Sequence, residues 1–397
     1  MEMGITGLRV RNYRSLADVQ LTPGPLNILF GPNGSGKSTL LDTSWFVKDC
    51  VRRGVDEASS DRSHGIAALW DRADEGENIV ITIDSNLAQY EIILGYSSGR
   101  IEPFAGEMLY SKQIGCNLIE RFVGSKEASF YHYETRETLP FPLREPEYPA
   151  LTRYLAFEER SDEAAEIDRL LHYTNYYHTR EADIYRLKKL GSESGHHTHV
   201  WDRCQNLWSV LRNIQGRRSV DDRYDTIIEF MRKAFPPFRD LVIDSTGLNT
   251  VYGSFVEKGR REPIPASGVS DGHLQMLAHL TSLFSTGQDR ENVLIFDEPE
   301  ISLHPYAISI LAEAIKYSAE HWRNQIFIAT HSPVLVSQFD PEHLLAVSVG
   351  EQGQTVVQNV SDIPEIQDLL QEYAVGSLYM AEMIAPQSNG HLVEAIG

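Results

Sequence analysis

The sequence predicts an α/β fold: a mostly parallel sheet with helices on both faces and a ligand site at the carboxyl ends of its strands. Three stretches predict it. Pro25-Leu-Asn-Ile-Leu-Phe30 is a short apolar run that leads into Gly31-Pro-Asn-Gly-Ser-Gly-Lys-Ser-Thr39. Asn292-Val-Leu-Ile-Phe-Asp-Glu-Pro-Glu300 is a second apolar run, ending in acids, and Gln325-Ile-Phe-Ile-Ala-Thr-His-Ser-Pro333 is a third, ending in Thr-His. Strands that are apolar along their whole length are buried on both faces, as in a parallel sheet flanked by helices. Such sheets place their ligands at the carboxyl ends of the strands.

Bulk properties bound the answer. At ~150 residues per unit, 397 residues make two or three structural units. Composition is that of an ordinary globular protein, 42% hydrophobic and 23% charged. A net charge of −20 argues against a general nucleic-acid binder, although a local basic stretch is compatible with it. Cys50, Cys116 and Cys204 lie far apart, forming neither a disulfide framework nor a zinc pattern, and suit a reducing cytoplasm. No signal-peptide core and no run of ~18 apolar residues is present, so a soluble cytoplasmic protein without membrane contact is expected.

Residues 5–21 alternate apolar and polar as an extended hairpin, whose polar tip, Asn12 to Ser15, either reaches the ligand or is a solvated strand end. The segment 31–39 fits the phosphate-loop pattern GxxxxGK[ST], with Gly31, Gly36, Lys37 and Ser38 at the defining positions. A Gly-rich turn lets backbone N–H groups converge on an anion, and the following helix adds the positive end of its dipole. Asn33, Gly34, Ser35, Gly36, Lys37, Ser38 and Thr39 are therefore the predicted nucleotide-binding residues, with Lys37 on the β and γ phosphates and Ser38 a Mg²⁺ ligand. Residues 39–47 read as the helix that closes the motif.

Further on, residues 78–84 and 88–94 read as strands, more strands fall within 108–122 and 129–135, and Pro140, Pro142, Pro146 and Pro149 punctuate a loop. The period then turns helical over 151–160, 162–173, 181–190, 201–213 and 222–234. Strands resume at 241–244 and 251–256, and Ser270-Asp-Gly-His-Leu-Gln275 opens a helix that runs to about Phe284. Where the second apolar strand ends, Asp297 is placed to hold Mg²⁺ and Glu298 to orient or deprotonate the attacking water.

Taken together, the hairpin tip Asn12-Tyr-Arg-Ser15, GPNGSGKST at 31–39, VSDGHLQ at 269–275, LIFDEPEISLHP at 294–305 and IATHSP at 328–333 resemble the ABC-type ATPases of the SMC/RecF/OLD group. Within that group they resemble particularly the stand-alone AAA-like ATPases of bacterial defence and DNA-repair loci. These motifs occupy the two ends of the chain, about half of it. The resemblance implies an ABC-type P-loop NTPase head of two lobes, with mixed and parallel sheets and helices, interrupted by an inserted α+β arm. On that reading residues 1–107 form the N-terminal lobe, 108–239 the arm, mostly helical after 150, and 240–397 the C-terminal lobe and tail.

The same resemblance implies ATP and Mg²⁺ as cofactors and assigns roles. Ser270, Asp271 and Gly272 become the signature that meets ATP bound by a second subunit. Residues 301–304 become the D-loop, and His331 the switch histidine that senses the γ-phosphate beside Glu298. It implies self-association as a homodimer or higher even-numbered oligomer, and a switch that controls a separately encoded effector such as a nuclease in anti-phage defence. Asp271, where transporter ATPases have Gly, favours the SMC/OLD side. For the Q-loop glutamine only Gln89 and Gln113 are candidates. OLD nucleases carry a second catalytic domain, whereas here 66 residues without a DxD pair follow His331, so this chain is not expected to be its own nuclease.

No sustained heptads fill the 260 residues between Lys37 and Asp297, so a compact arm is expected rather than a coiled coil. Residues 180–261 carry 15 Lys/Arg against 11 Asp/Glu, while the rest of the chain carries 21 against 45. The alternative reading, a RecF-like DNA-repair ATPase, would put DNA on this stretch, with Arg212, Arg217, Arg218, Arg232 and Lys233 as the contacts, against the simpler reading of solvated helix faces. His196-His-Thr-His199 near Cys204 reads as a flexible loop before a metal site, and Tyr173, Tyr176 and Tyr177 as packing or interface before base stacking. Residues 362–372 read as a helix, and 375–383 as a short tail segment whose apolar face could dock a partner.

Overall fold

The computed structural model describes residues 4–74, 76–286 and 291–386. At its centre is a six-stranded sheet in the order Thr174–His178, Asn292–Asp297, Asn324–Thr330, Leu26–Phe30, Leu344–Val349, Thr355–Asn359. The first five strands run parallel, and the last returns antiparallel as a hairpin. Side-chain alternation shows why these runs lack polar positions. Ile28, Phe30, Leu294, Phe296, Ile326 and Ile328 enter one core, and Leu29, Val293, Ile295, Phe327 and Ala329 enter the other. Both faces are buried, as parallel strands require.

The second core is closed by an eight-stranded antiparallel sheet, ordered Glu137–Pro142, Glu127–His132, Asn117–Arg121, Gly106–Ser111, Ala88–Leu94, Ile79–Asp84, Gly7–Tyr13, Leu16–Leu21. The helix Lys37–Arg53 lies between the two sheets, burying Leu40, Leu41, Phe46, Val47, Cys50 and Val51. This topology corrects the expected arm. A boundary at residue 108 would fall inside Gly106–Ser111, which pairs with Ala88–Leu94 from Ala88↔Ser111 to Ile93↔Gly106. The strands after 108 extend the N-terminal sheet because their apolar residues, among them Leu109, Ile119 and Phe130, fill that core. Glu107 ties the helix Leu151–Phe157 to the same sheet, accepting the Tyr90 hydroxyl at 2.7 Å and the Ala150 and Leu151 amides at the helix start.

On the other face, the helices Leu207–Gln215, Arg223–Ala234 and Asp271–Phe284 and the hairpin Phe238–Ser245 with Thr250–Glu257 make the first core. Trp208 anchors it, fully buried with its indole N–H on the Leu187 carbonyl at 3.1 Å. A Cβ on Gly253 would sit 2.0 Å from its ring, so only glycine lets that strand approach. Residues 362–372, expected as a helix, form short 3₁₀ turns instead, at Val360–Asp362, Pro364–Ile366 and Leu369–Gln371. Pro364 supplies one physical reason, since it has no N–H for a continuing helix.

One buried group makes the fold pH-sensitive. His279, on Asp271–Phe284, packs edge-on to Phe296, and burial lowers its pKa from the usual 6.5 to about 4. Between those values the unfolded chain binds the proton and the folded chain does not, so stability rises with pH through the window and is lost as pH falls. Between pH 7 and 5 the wild type is expected to lose about 2 kcal/mol more than His279→Leu in urea unfolding. Equal losses would show that the site relaxes to accept the charge.

Candidate functional site

The site assembles where the strands of the parallel sheet end. Leu26–Phe30 delivers the phosphate loop, whose Gly34 and Gly36 have φ of 78° and 98°, in the left-handed region that favours glycine. Gly36 has a second constraint: a Cβ there would stand 2.1 Å from Thr355 Oγ1 and 2.9 Å from Ser15 Oγ. Those hydroxyls are bonded to each other at 2.9 Å, and the Thr355 amide donates to the Ser15 carbonyl. The hairpin tip therefore divides between its two expected settings. Ser15 lies against the phosphate loop, whereas Asn12 donates to Glu77 and to the Asn78 carbonyl.

Lys37 folds back across the loop, donating to the carbonyls of Gly31 (2.9 Å) and Pro32 (2.8 Å) and to Ser35 Oγ (3.4 Å). Burial lowers its pKa to about 8, against the pull of Asp297, Glu298 and Glu300. A lysine satisfied by its own loop is poised to exchange those carbonyls for phosphate oxygens, which bind it more strongly because they are charged.

Asp297 is 2% exposed. Its Oδ2 accepts from the Tyr176 hydroxyl at 3.2 Å and lies 3.4 Å from His178 Nε2, while its buried Oδ1 has no hydrogen-bond partner within the protein. An unpartnered carboxylate oxygen close to the phosphate-loop lysine suits a Mg²⁺ ion, which Asp297, with the Ser38 hydroxyl, would hold. No cluster of three or more His, Cys, Asp or Glu able to hold a metal ion occurs among the described residues.

Tyr176 and His178 are site residues that sequence reading missed. They sit on Thr174–His178, an edge strand paired in parallel with the acid strand and placing His178 opposite Asp297. The available signal was Thr-Asn-Tyr-Tyr-His, a β-favouring run between two helical periods. Tyr177, pointing to the other face, stacks on Phe296.

Glu298 follows Asp297 with φ of +52°, a strained setting for a glutamate, fixed by its amide on the Ala329 carbonyl. Its Oε2 accepts from Arg180 at 2.6 Å, and its Oε1 lies 3.7 Å from His331 Nε2. Burial, then the charge of Lys37, holds the pKa of His331 below the usual value. Glu300 joins the switch to the segment after the acids by accepting the Thr330 hydroxyl (2.6 Å) and the His331 amide (3.1 Å), and burial raises its pKa. Pro32, Asn33, Arg180, Glu298, Glu300, Ile301, His331 and Tyr379 line a cavity of about 550 Å³ over this arrangement. Tyr379 comes from the tail helix Val375–Met380, set edge-on to Phe30.

Ser270, Asp271 and Gly272 are not among the residues lining that cavity. Ser270 occupies the N-cap position without making a side-chain cap bond, and its Oγ lies 2.7 Å from His273 Nδ1. Asp271 pairs with Lys188 at 2.5 Å, and a Cβ on Gly272 would meet the Ser302 carbonyl at 2.5 Å.

The five candidate DNA contacts do not form a free basic surface. Arg217 faces Asp221, Arg218 faces Asp225 and Asp240, Lys233 faces Glu313 and Glu229, and Arg232 donates to the Arg239 carbonyl. Arg212 is exposed on Leu207–Gln215. Gln89 bonds Asp84 within the antiparallel sheet, and Gln113 lies in the turn after Gly106–Ser111; neither lines the cavity. His197 packs against Trp201, and Asn213 and Asn206 hold the carbonyls of His197 and His199. No helix among the described residues is long and apolar enough to cross a membrane.

Fold and site together define a P-loop protein with the α/β fold of an SMC-type ABC head. Residues 26–337 match the family described as "AAA domain, putative AbiEii toxin, Type IV TA system", and the chain belongs to that family. It resembles in fold a crystal structure of an Smc head bound to the C-winged helix domain of ScpA, at 13% identity and a TM-score of 0.57, over 92% of this chain and 99% of that one. It also matches an SMC head domain from Thermotoga maritima (13% identity, 90% and 99% covered, TM-score 0.43). A third match is an Smc head with an extended coiled coil from Pyrococcus furiosus, bound to the C-terminal domain of ScpA (12%, 93% and 99%, 0.48). No curated protein matches the sequence.

Proposed function

We propose that the chain is a cytoplasmic, Mg-ATP-operated switch: two copies close around two ATP molecules, hydrolysis reopens them, and the cycle controls a separately encoded effector, a nuclease of anti-phage defence. The observation that carries the dimer is the split of the site. The phosphate loop, Glu298 and His331 converge on one cavity, whereas Ser270 to Gly272 do not line it. A helix start whose cap hydroxyl is not spent on the helix amides is an anion site useful against a nucleotide held elsewhere.

In this reading Lys37 and the loop amides hold the β and γ phosphates. Asp297, braced by Tyr176 and His178, and Ser38 hold Mg²⁺, which when bound screens the phosphate charge. Glu298 orients the attacking water and takes its proton, and His331 reads the γ-phosphate. The family's link to toxin systems supports a role that acts through a partner, and the tail helix beside the cavity gives such a partner a path to the nucleotide state.

The test is mass in solution. Glu298→Gln is expected to double its mass on adding Mg-ATP, and the Glu298→Gln/Ser270→Arg double variant to stay monomeric. If ATP leaves the mass unchanged, or if the double variant still associates, the shared-site dimer is wrong. Co-purification of a nuclease with the ATP-locked form would identify the effector.

A further inference from the structure

Arg180 lies outside every motif in the sequence, yet it enters the cavity. It sits on the turn Thr179–Glu181, directly after the strand Thr174–His178 that flanks the acid strand, so the parallel sheet delivers it to the same edge as Asp297 and Glu298. There it lines the cavity with Pro32 and Asn33 of the phosphate loop and with His331. Its Nε and Nη2 both lie 2.6 Å from Glu298 Oε2.

Two features argue that this ion pair is not simply structural. Arg180 is 66% exposed, and an exposed pair contributes ~0–1 kcal/mol, too little to explain an arginine placed here as a brace. The clasp also uses two of the five guanidinium N–H groups and leaves three for a second acceptor. Two carboxylates, Glu298 and Glu300, line the cavity, and together with buried Asp297 they bear on Lys37, where a triphosphate must enter. A polyanion arriving there needs a cation beyond Lys37, and a planar guanidinium fork matches phosphate oxygens better than an ammonium does.

We propose that Arg180 is a γ-phosphate ligand supplied in cis, parked on Glu298 when no nucleotide is bound and moved to, or shared with, the γ-phosphate when ATP enters. The assignment rests on the ATPase reading and adds a residue to it. Charge spreads over the γ-phosphoryl oxygens in the transition state, and an arginine placed there can contribute ~10³–10⁵ in rate. Because ADP lacks the γ-phosphate, Arg180 would also let the site tell ATP from ADP, while its release frees Glu298 to hold water only after ATP is in place.

The experiment compares wild type, Arg180→Ala and Arg180→Lys, measuring affinity for ATPγS and for ADP by calorimetry and turnover of Mg-ATP in a single-turnover assay. Arg180→Ala is expected to weaken ATPγS roughly tenfold with ADP within twofold of wild type, and to slow turnover ~100-fold or more. Arg180→Lys should restore ATPγS binding in part and turnover much less, because the fork is lost. If Arg180→Ala turns over as fast as wild type or faster, Arg180 is only a restraint on Glu298 and the assignment falls. Equal losses for ATPγS and ADP would also overturn it. A wild-type chain that binds neither nucleotide would sink the ATPase reading along with it, so the two failures are distinguishable.

Discussion

Glu298→Gln is expected to bind Mg-ATP as tightly as the wild type and to hydrolyse it ~10³-fold more slowly. The expectation follows from where Glu298 sits. Its backbone is pinned at φ of +52° by the Ala329 carbonyl, a conformation that costs of order 1 kcal/mol and persists where the surroundings enforce it. Its Oε2 accepts from Arg180 and its Oε1 lies 3.7 Å from His331 Nε2, so both oxygens face groups that line the cavity. A positioned general base contributes ~10²–10⁴ in rate, and glutamine keeps the shape and the hydrogen-bond acceptor but cannot take the proton. Phosphate release after rapid mixing, beside ATP affinity by calorimetry, checks both halves. Turnover within fivefold of wild type would show that Glu298 is not the base.

The parallel sheet was legible because burial on both faces removes polar positions from its strands, leaving apolar runs whose terminal residues stand out. Gly31–Thr39, Asp297–Glu298 and Thr330–His331 are each the end of such a run, so sheet and site were read from the same residues. Thr174–His178 was not legible for the opposite reason. As an edge strand it is half-buried, with Tyr176 and His178 at intermediate exposure, so its composition follows the site it serves rather than the core. The arm failed on a similar ground. A sequence passing from strands to helices invites a boundary, but Gly106–Ser111 pairs with Ala88–Leu94, and long-range register is not written in local pattern. Ser270 was legible as the opening of a helix, yet its hydroxyl partners His273 instead of the helix amides.

The same contacts suggest how nucleotide state could reach the chain's edges. Glu300 holds both Thr330 and the His331 amide, while Ser302, two residues on with φ of +66°, offers its carbonyl to the face of Gly272. A Cβ on Gly376 of the tail helix would stand 2.1 Å from the Pro333 carbonyl, two residues after His331. His331 is thus joined through Glu300 to the segment that approaches Gly272, and through Pro333 to the tail helix.

Lys37→Ala should have the other large effect, on binding rather than on chemistry. Lys37 satisfies the Gly31 and Pro32 carbonyls, and a triphosphate would replace those neutral acceptors with charged oxygens. Charge-assisted hydrogen bonds are about twice as strong as neutral ones, ~1.5–3 kcal/mol each, so losing the ammonium should weaken ATP at least ~100-fold. Removing it also leaves two carbonyls of a tight loop without their donor, so some loss of thermal stability should accompany the change. The comparison with Glu298→Gln separates the roles. Calorimetry should find ATP bound by the glutamine variant and not by Lys37→Ala, and ATP-dependent association should follow binding, present in the first and absent in the second. If Lys37→Ala retains ATP affinity within threefold, the loop is not the phosphate cradle, and the nucleotide must be sought elsewhere in the fold.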